Sequence, residues 1–181
     1  LIFLYIKKYL NKTPEQIKIN KINLTSRYDD KKTILIKRLL QNHIPLPFRE
    51  KIVNKLFGDI VNISEKEFSE KLYMNKKHIQ ELYKNNFTIG SHGYNHYWWG
   101  KLNEDEQEIE IKKSINYLKK IQVFDKNFSV CFPYGSYNLQ TLNLLNKYKI
   151  TFALTTEVGK VNNKNIANVL ELPRFDTNDF R

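Results

Sequence analysis

From residue 87 onward, short β-forming runs alternate with helical patterns, and this alternation restricts the fold more than any other feature of the chain. FTIGSH (87–92), FSVCFPYG (128–135) and ITFALTTE (150–157) read as strands rich in aromatic and β-branched residues. Between them, NEDEQEIEIKKSINYLKKI (103–121) and NLQTLNLLNKYK (138–149) read as helices with Asn103 and Asn138 as N-caps. In the first of these helices acids fill the opening turn and lysines the closing one, as the helix dipole favours. VLELPRF (169–175) reads as a last strand. Strands separated by helices at this spacing form βαβ units and a parallel sheet. Sites in such sheets are built from the loops at the carboxyl ends of the strands. His92, His96, Tyr134 and Asp176 all fall at or just past those ends.

The first half reads mostly helical. In DDKKTILIKRLLQNH (29–43), Ile34, Leu35, Leu39 and Leu40 share one stripe behind a start marked by Asp29 and Asp30. PLPF (45–48) interrupts it. FREKIVNKLFGDI (48–60) resumes, with Gly58 as a terminator. SEKEFSEKLYM (64–74) opens on a Ser64/Glu67 capping box, and NKKHIQELYKNN (75–86) follows as a further helix. No repeat and no Gly/Ser/Pro linker divides the chain, so a single domain is expected, helical over 1–85 and of βα type over 86–181.

Composition matters mainly for what it removes. The 181 residues suffice for one core, and 41% hydrophobic content places the chain among globular proteins. A net charge of +11 would ordinarily point to a nucleic-acid partner. Yet the excess is almost wholly lysine in an Asn- and Ile-rich chain, as A/T-rich codons would produce, and it is spread out with no zinc-finger, RRM or KH signature. No nucleic acid is expected as partner. The single cysteine, Cys131, excludes an internal disulfide framework. No apolar run approaches the ~18 residues of a membrane span.

Three segments carry chemistry. TIGSHGYNH (88–96) sets His92 and His96 four apart, a spacing that lets two imidazoles share one metal or leaves two unrelated surface histidines. CFPYGSYN (131–138) ends a strand at Pro133 and turns at Gly135, which suits either a backbone N–H donor at Tyr134 or an ordinary strand-to-helix turn. LPRFDTNDF (172–180) puts Arg174 and Asp176 on the same side of a strand end, to pair with each other or to orient neighbouring groups. Beside the histidines, Tyr97, Trp98 and Trp99 either stack on sugar faces or pack between loop and sheet.

In this order the three segments resemble the polysaccharide deacetylase family, the NodB-homology or carbohydrate esterase family 4 enzymes. SHGYNH is similar to that family's second, His-containing motif, FPYG to its third, and LPRFDTND to the ending of a bacterial subgroup. The resemblance implies a distorted (β/α) barrel of the NodB type, with a helical insertion in the first half and an incomplete N-terminal side. It also implies removal of N-acetyl or O-acetyl groups from a carbohydrate with one divalent metal, most often zinc. His92 and His96 would be metal ligands, the Tyr134 N–H would hold the oxyanion while its ring walls the pocket, and Trp98 and Trp99 would contact substrate. Arg174 and Asp176 would orient the site.

The chain departs from the family pattern in three places. The Thr-Phe-Asp-Asp-Gly motif that supplies the base and the third ligand is missing; YDD (28–30) opens a lysine-rich helix and has neither a strand before it nor a glycine after it. Cys131 stands where many members have an arginine, and its apolar flanks suit a small buried residue better than a nucleophile. The late Leu-x-His segment that supplies a general acid has no match. The expectation is therefore a piece of a longer deacetylase, close to inactive, weak in zinc binding and poorly soluble alone. A catalytically dead glycan-binding member is the alternative, and a basic nucleic-acid binder the more remote one.

Overall fold

The computed structural model describes residues 1–164 and 166–180, which fall into two compact units, Leu1–Tyr73 and Met74–Arg181. Among the described residues no helix is long and apolar enough to cross a membrane.

The first unit is helical. Helices α1 (Ile2–Leu10), α2 (Lys31–Arg38), α3 (Leu46–Ile60) and α4 (Glu65–Leu72) follow one another, and a π-helical turn over Leu39–His43 extends α2. Ile2, Ile6, Ile22, Leu39, Ile44 and Ile52 form its core. Asp30 caps α2 by accepting from the Lys32 and Thr33 amides, and Asp29 pairs with Lys37 Nζ at 2.7 Å, so both acids serve the helix. The expected break at PLPF is also a beginning. Pro45 is the N-cap of α3 and Pro47 lies in its first turn, where a missing N–H removes no bond. Gly58 does not terminate α3, because a glycine terminator needs left-handed backbone, and here positive φ among the glycines is confined to Gly93 and Gly135.

In the second unit, α5 (Lys76–Lys84) precedes a parallel arrangement interleaved with α6 (Glu104–Lys120) and α7 (Leu139–Lys147). Strands β1 (Ser129–Cys131) and β2 (Phe152–Leu154) pair in parallel, with Val130 opposite Ala153. Single parallel bridges add Ser91 beside Val130 and Leu172 beside Leu154. Four chain segments thus lie side by side in sequence order and run the same way. This is parallel βα architecture; the described strands are two, and a closed barrel is not among their features.

The outer segments are shorter than expected for physical reasons. The Phe87 N–H closes the end of α5 on the Leu82 carbonyl, past a left-handed Asn86, so Phe87 is committed to the helix end, and 87–92 contributes one bridge at Ser91. The expected last strand is replaced by a 3-10 turn over Val169–Glu171 and a bridge at Leu172, after which Pro173 has no N–H to continue. Ile111, Ile115 and Leu118 of α6 pack with Leu144 and Leu145 of α7 and with Val130, Phe132 and Ala153 of the sheet. Both expected Asn caps form, each as a capping box closed by Glu106 or Thr141.

Candidate active site

The carboxyl ends of the four parallel segments lead into the loops that carry the expected site residues. Past Ser91, the chain turns through Gly93 and brings His92 and His96 together, with ring centroids 4.6 Å apart at 64°. Gly93 has φ 78, and a Cβ there would meet Pro133 Cγ at 3.0 Å and Trp99 Nε1 at 3.3 Å, so the turn needs glycine on both counts.

His92 Nδ1 lies 2.8 Å from the Cys131 carbonyl oxygen. A carbonyl only accepts, so Nδ1 carries the proton and the lone pair sits on Nε2. A carbonyl bonded to the far nitrogen in this way is what orients a metal-binding imidazole. His96 Nδ1 lies 3.0 Å from the Tyr134 hydroxyl, which can accept from it and leave the His96 Nε2 available in the same way. Desolvation, and then the neighbouring His92, hold the His96 imidazole below its ordinary value, which favours the neutral, ligating form.

The two nitrogen donors suit a borderline metal such as zinc, but a catalytic zinc takes three protein ligands. Among the described residues no group of three or more His, Cys, Asp or Glu side chains is placed to hold a metal. The histidines fit as part of a ligand set.

After β1 the backbone makes a tight turn over Pro133–Gly135, with Tyr134 at φ 58, ψ 14 and Gly135 at φ 66. The Tyr134 ring stands between His96, at 4.5 Å, and Trp98, stacked at 5.0 Å and 19°. The Gly100 N–H donates to Ser136 Oγ at 3.2 Å and ties the His loop to this turn.

Not every expected residue joins them. Trp99 is fully buried and meets Phe132 edge-on at 6.3 Å, so it takes the packing role and offers no face to a sugar. Trp98 is half-buried at the site. Arg174 Nε donates to the Thr155 carbonyl at 2.9 Å, while Asp176 accepts from the Asn178 backbone and side-chain amides at 2.9 Å, so the two are engaged separately. The Cys131 thiol is pushed up by burial against the opposing pull of Arg174, as suits an inert side chain.

One site residue escaped the sequence reading. Glu110 of α6 is buried, and its carboxylate accepts from the Tyr94 and Asn95 amides and from Asn95 Nδ2. The signal was present: Gln107, Glu110, Ile111, Ser114, Ile115 and Leu118 fall on one helical stripe, and an acid on a stripe otherwise facing the core needs partners.

The family model described as polysaccharide deacetylase matches residues 57–153, more than half of the chain, including both histidines and the Pro-Tyr-Gly turn. This chain belongs to the polysaccharide deacetylase family. Arg174 and Asp176 lie beyond the matched stretch. Among solved structures, the chain is similar to Streptococcus pyogenes deacetylase PplD in complex with acetate, with 26% identity and a TM-score of 0.54. That likeness covers 60% of this chain and 47% of the other, so the chain spans about half the length of the protein it matches. No curated protein sequence matches it.

Proposed function

We propose that this chain carries the two-imidazole part of a metal-dependent carbohydrate deacetylase, which removes N-acetyl or O-acetyl groups by hydrolysis. The observation that carries the reading is the His92–His96 pair, 4.6 Å between centroids, with the His92 Nδ1 committed to a backbone carbonyl. Nε2 of His92 and Nε2 of His96 would hold the ion, with zinc the best match to nitrogen donors. When bound, such an ion polarises the acyl carbonyl and acidifies water. The protein's own part is to present both imidazoles through Nε2, to aim the Tyr134 N–H at the developing oxyanion, and to wall the acetyl-bearing sugar with Tyr134 and Trp98. The base and the third ligand are not assigned to this chain, so the chain alone binds zinc weakly and releases little acetate from an N-acetylated oligosaccharide.

Isothermal titration with zinc tests this. Weak binding that disappears in both His92→Ala and His96→Ala supports it; affinity untouched by both substitutions overturns the assignment, and sub-micromolar affinity overturns the incomplete ligand set.

A second reading rests on the Trp98–Tyr134 stack, a ready-made aromatic surface at the same rim. Here the fold binds glycan without turning it over. Oligosaccharide binding by His92→Ala as tight as that of the unaltered chain would favour it.

A further inference from the structure

We propose that Glu110 is the positioning residue of the His92–His96 loop: from α6, its carboxylate fixes the backbone on which both imidazoles stand. The inference rests on the metal-site reading above and adds to it the group that sets the ligand geometry.

Three residues separate the histidines, and the amide of each is held. The Gly93 N–H donates to Ser91 Oγ at 3.1 Å, the Tyr94 N–H to Glu110 Oε2 at 3.0 Å and the Asn95 N–H to the same oxygen at 2.8 Å. The other carboxylate oxygen, Oε1, accepts from Asn95 Nδ2 at 2.5 Å. All three groups facing Glu110 are N–H donors, and an acceptor-only carboxylate answers all of them. Glu110 is 2% exposed, so these bonds are sheltered from competing water. A buried carboxylate in a helix otherwise facing the core is unfavourable unless such donors converge on it.

The loop needs this hold. His96 has φ 58, a conformation that non-glycine residues seldom adopt and that persists only where the surroundings over-determine it. Tyr94 is 51% exposed, so its ring supplies little packing to fix the turn. Without the carboxylate, two adjacent amides lose their acceptor immediately before His96, and the separation of the rings is no longer defined.

The test uses the full chain and two variants. Glu110→Gln keeps size and shape but turns one acceptor into a donor facing donors. Glu110→Gln combined with Asn95→Asp restores an acceptor on the other side of that contact. Amide hydrogen exchange and the imidazole NMR signals of His92 and His96 are recorded, followed by a zinc titration.

In Glu110→Gln, the Tyr94 and Asn95 amides should lose protection while those of Ile111 and Ile115 keep theirs. Zinc affinity should fall roughly 10–100-fold, the range for losing an outer-shell partner. The double variant should recover most of both. Loss of protection along all of α6 without recovery in the double variant would make Glu110 a folding residue and overturn the proposal, as would unchanged loop amides and zinc affinity. Should the unaltered chain bind no zinc, the metal-site reading fails on its own. Glu110 is then decided by loop protection and imidazole signals: freed in Glu110→Gln, the proposal stands; unmoved, it falls.

Discussion

Gly135 is pressed against Thr156: a Cβ on the glycine would lie 2.2 Å from Thr156 Oγ1 and 2.9 Å from its Cγ2. The contact joins the turn after β1 to the residues after β2, and Gly135 adds the left-handed φ of 66 that this turn demands.

Gly135→Ala should therefore destabilise the chain by about 2 kcal/mol or more, from left-handed backbone and collision together. Urea unfolding measures it. The same variant should shift the Tyr134 and His96 ring signals, since both rings stand on what this turn holds. A stability change of a few tenths of a kcal/mol would show that the Thr156 side moves aside freely.

A second test concerns the seam between α6 and α7. The Thr141 hydroxyl donates to Gln107 Oε1 at 2.6 Å, and both side chains are fully buried. Thr141→Val keeps the shape but leaves the Gln107 amide oxygen without its donor and the Asn138 N–H without its capping-box acceptor, and should cost about 1–3 kcal/mol. Gln107→Leu in the same background should return part of that loss by removing the stranded group. A Thr141→Val variant as stable as the parent would mean that the amide finds another donor.

Glu108 gives the seam a pH dependence. Hydrogen bonds from Lys147, then Tyr148 and Lys112, push its carboxyl from 4.5 down to about 2. A depressed carboxylate contributes stability that is complete above about 4.5 and is lost as the pH falls towards about 2. Glu108→Gln should flatten the urea midpoint across that window, lowering it most above about 4.5 and converging with the parent as the pH falls towards about 2. The difference should be small because the Lys112 and Lys147 partners are exposed. Parallel pH profiles for the two proteins would refute the assignment.

Cys131 should be a slow thiol. Burial raises it above its usual value, with Arg174 only partly opposing. Alkylation by iodoacetamide at mildly alkaline pH should lag well behind a free cysteine peptide and catch up in urea. Native-state labelling at the rate of the free peptide would contradict a half-buried, inert side chain.

The helices of the second unit were legible because their signals are local: Asn103 and Asn138 cap, and the apolar stripes repeat at helical spacing. The histidine pair was legible because four residues suffice to define it. The strands were over-read, since β-forming composition at 87–92 does not reveal that the Phe87 amide already closes a helix. The roles of the two tryptophans were open because neighbours in sequence can part company, with Trp99 in the core and Trp98 at the rim. Glu110 was hidden because its partners lie 15 and 16 residues earlier in the chain. Burial of an acid is a tertiary fact, and sequence shows only the stripe on which it falls.

The Glu110 contact also bears on where such a chain tolerates changes of length. The carboxylate reaches the loop from one angular position on α6, and each residue of an α-helix advances that angle by roughly 100°. A single insertion or deletion between the helix start at Glu104 and Glu110 would swing the acid off the loop even with every helical hydrogen bond intact. An insertion after Lys120, beyond the end of the helix, leaves that bearing unchanged. The interval from Glu104 to Glu110 should therefore hold its length among relatives that keep this contact, which places no such demand on the stretch between Lys120 and Ser129.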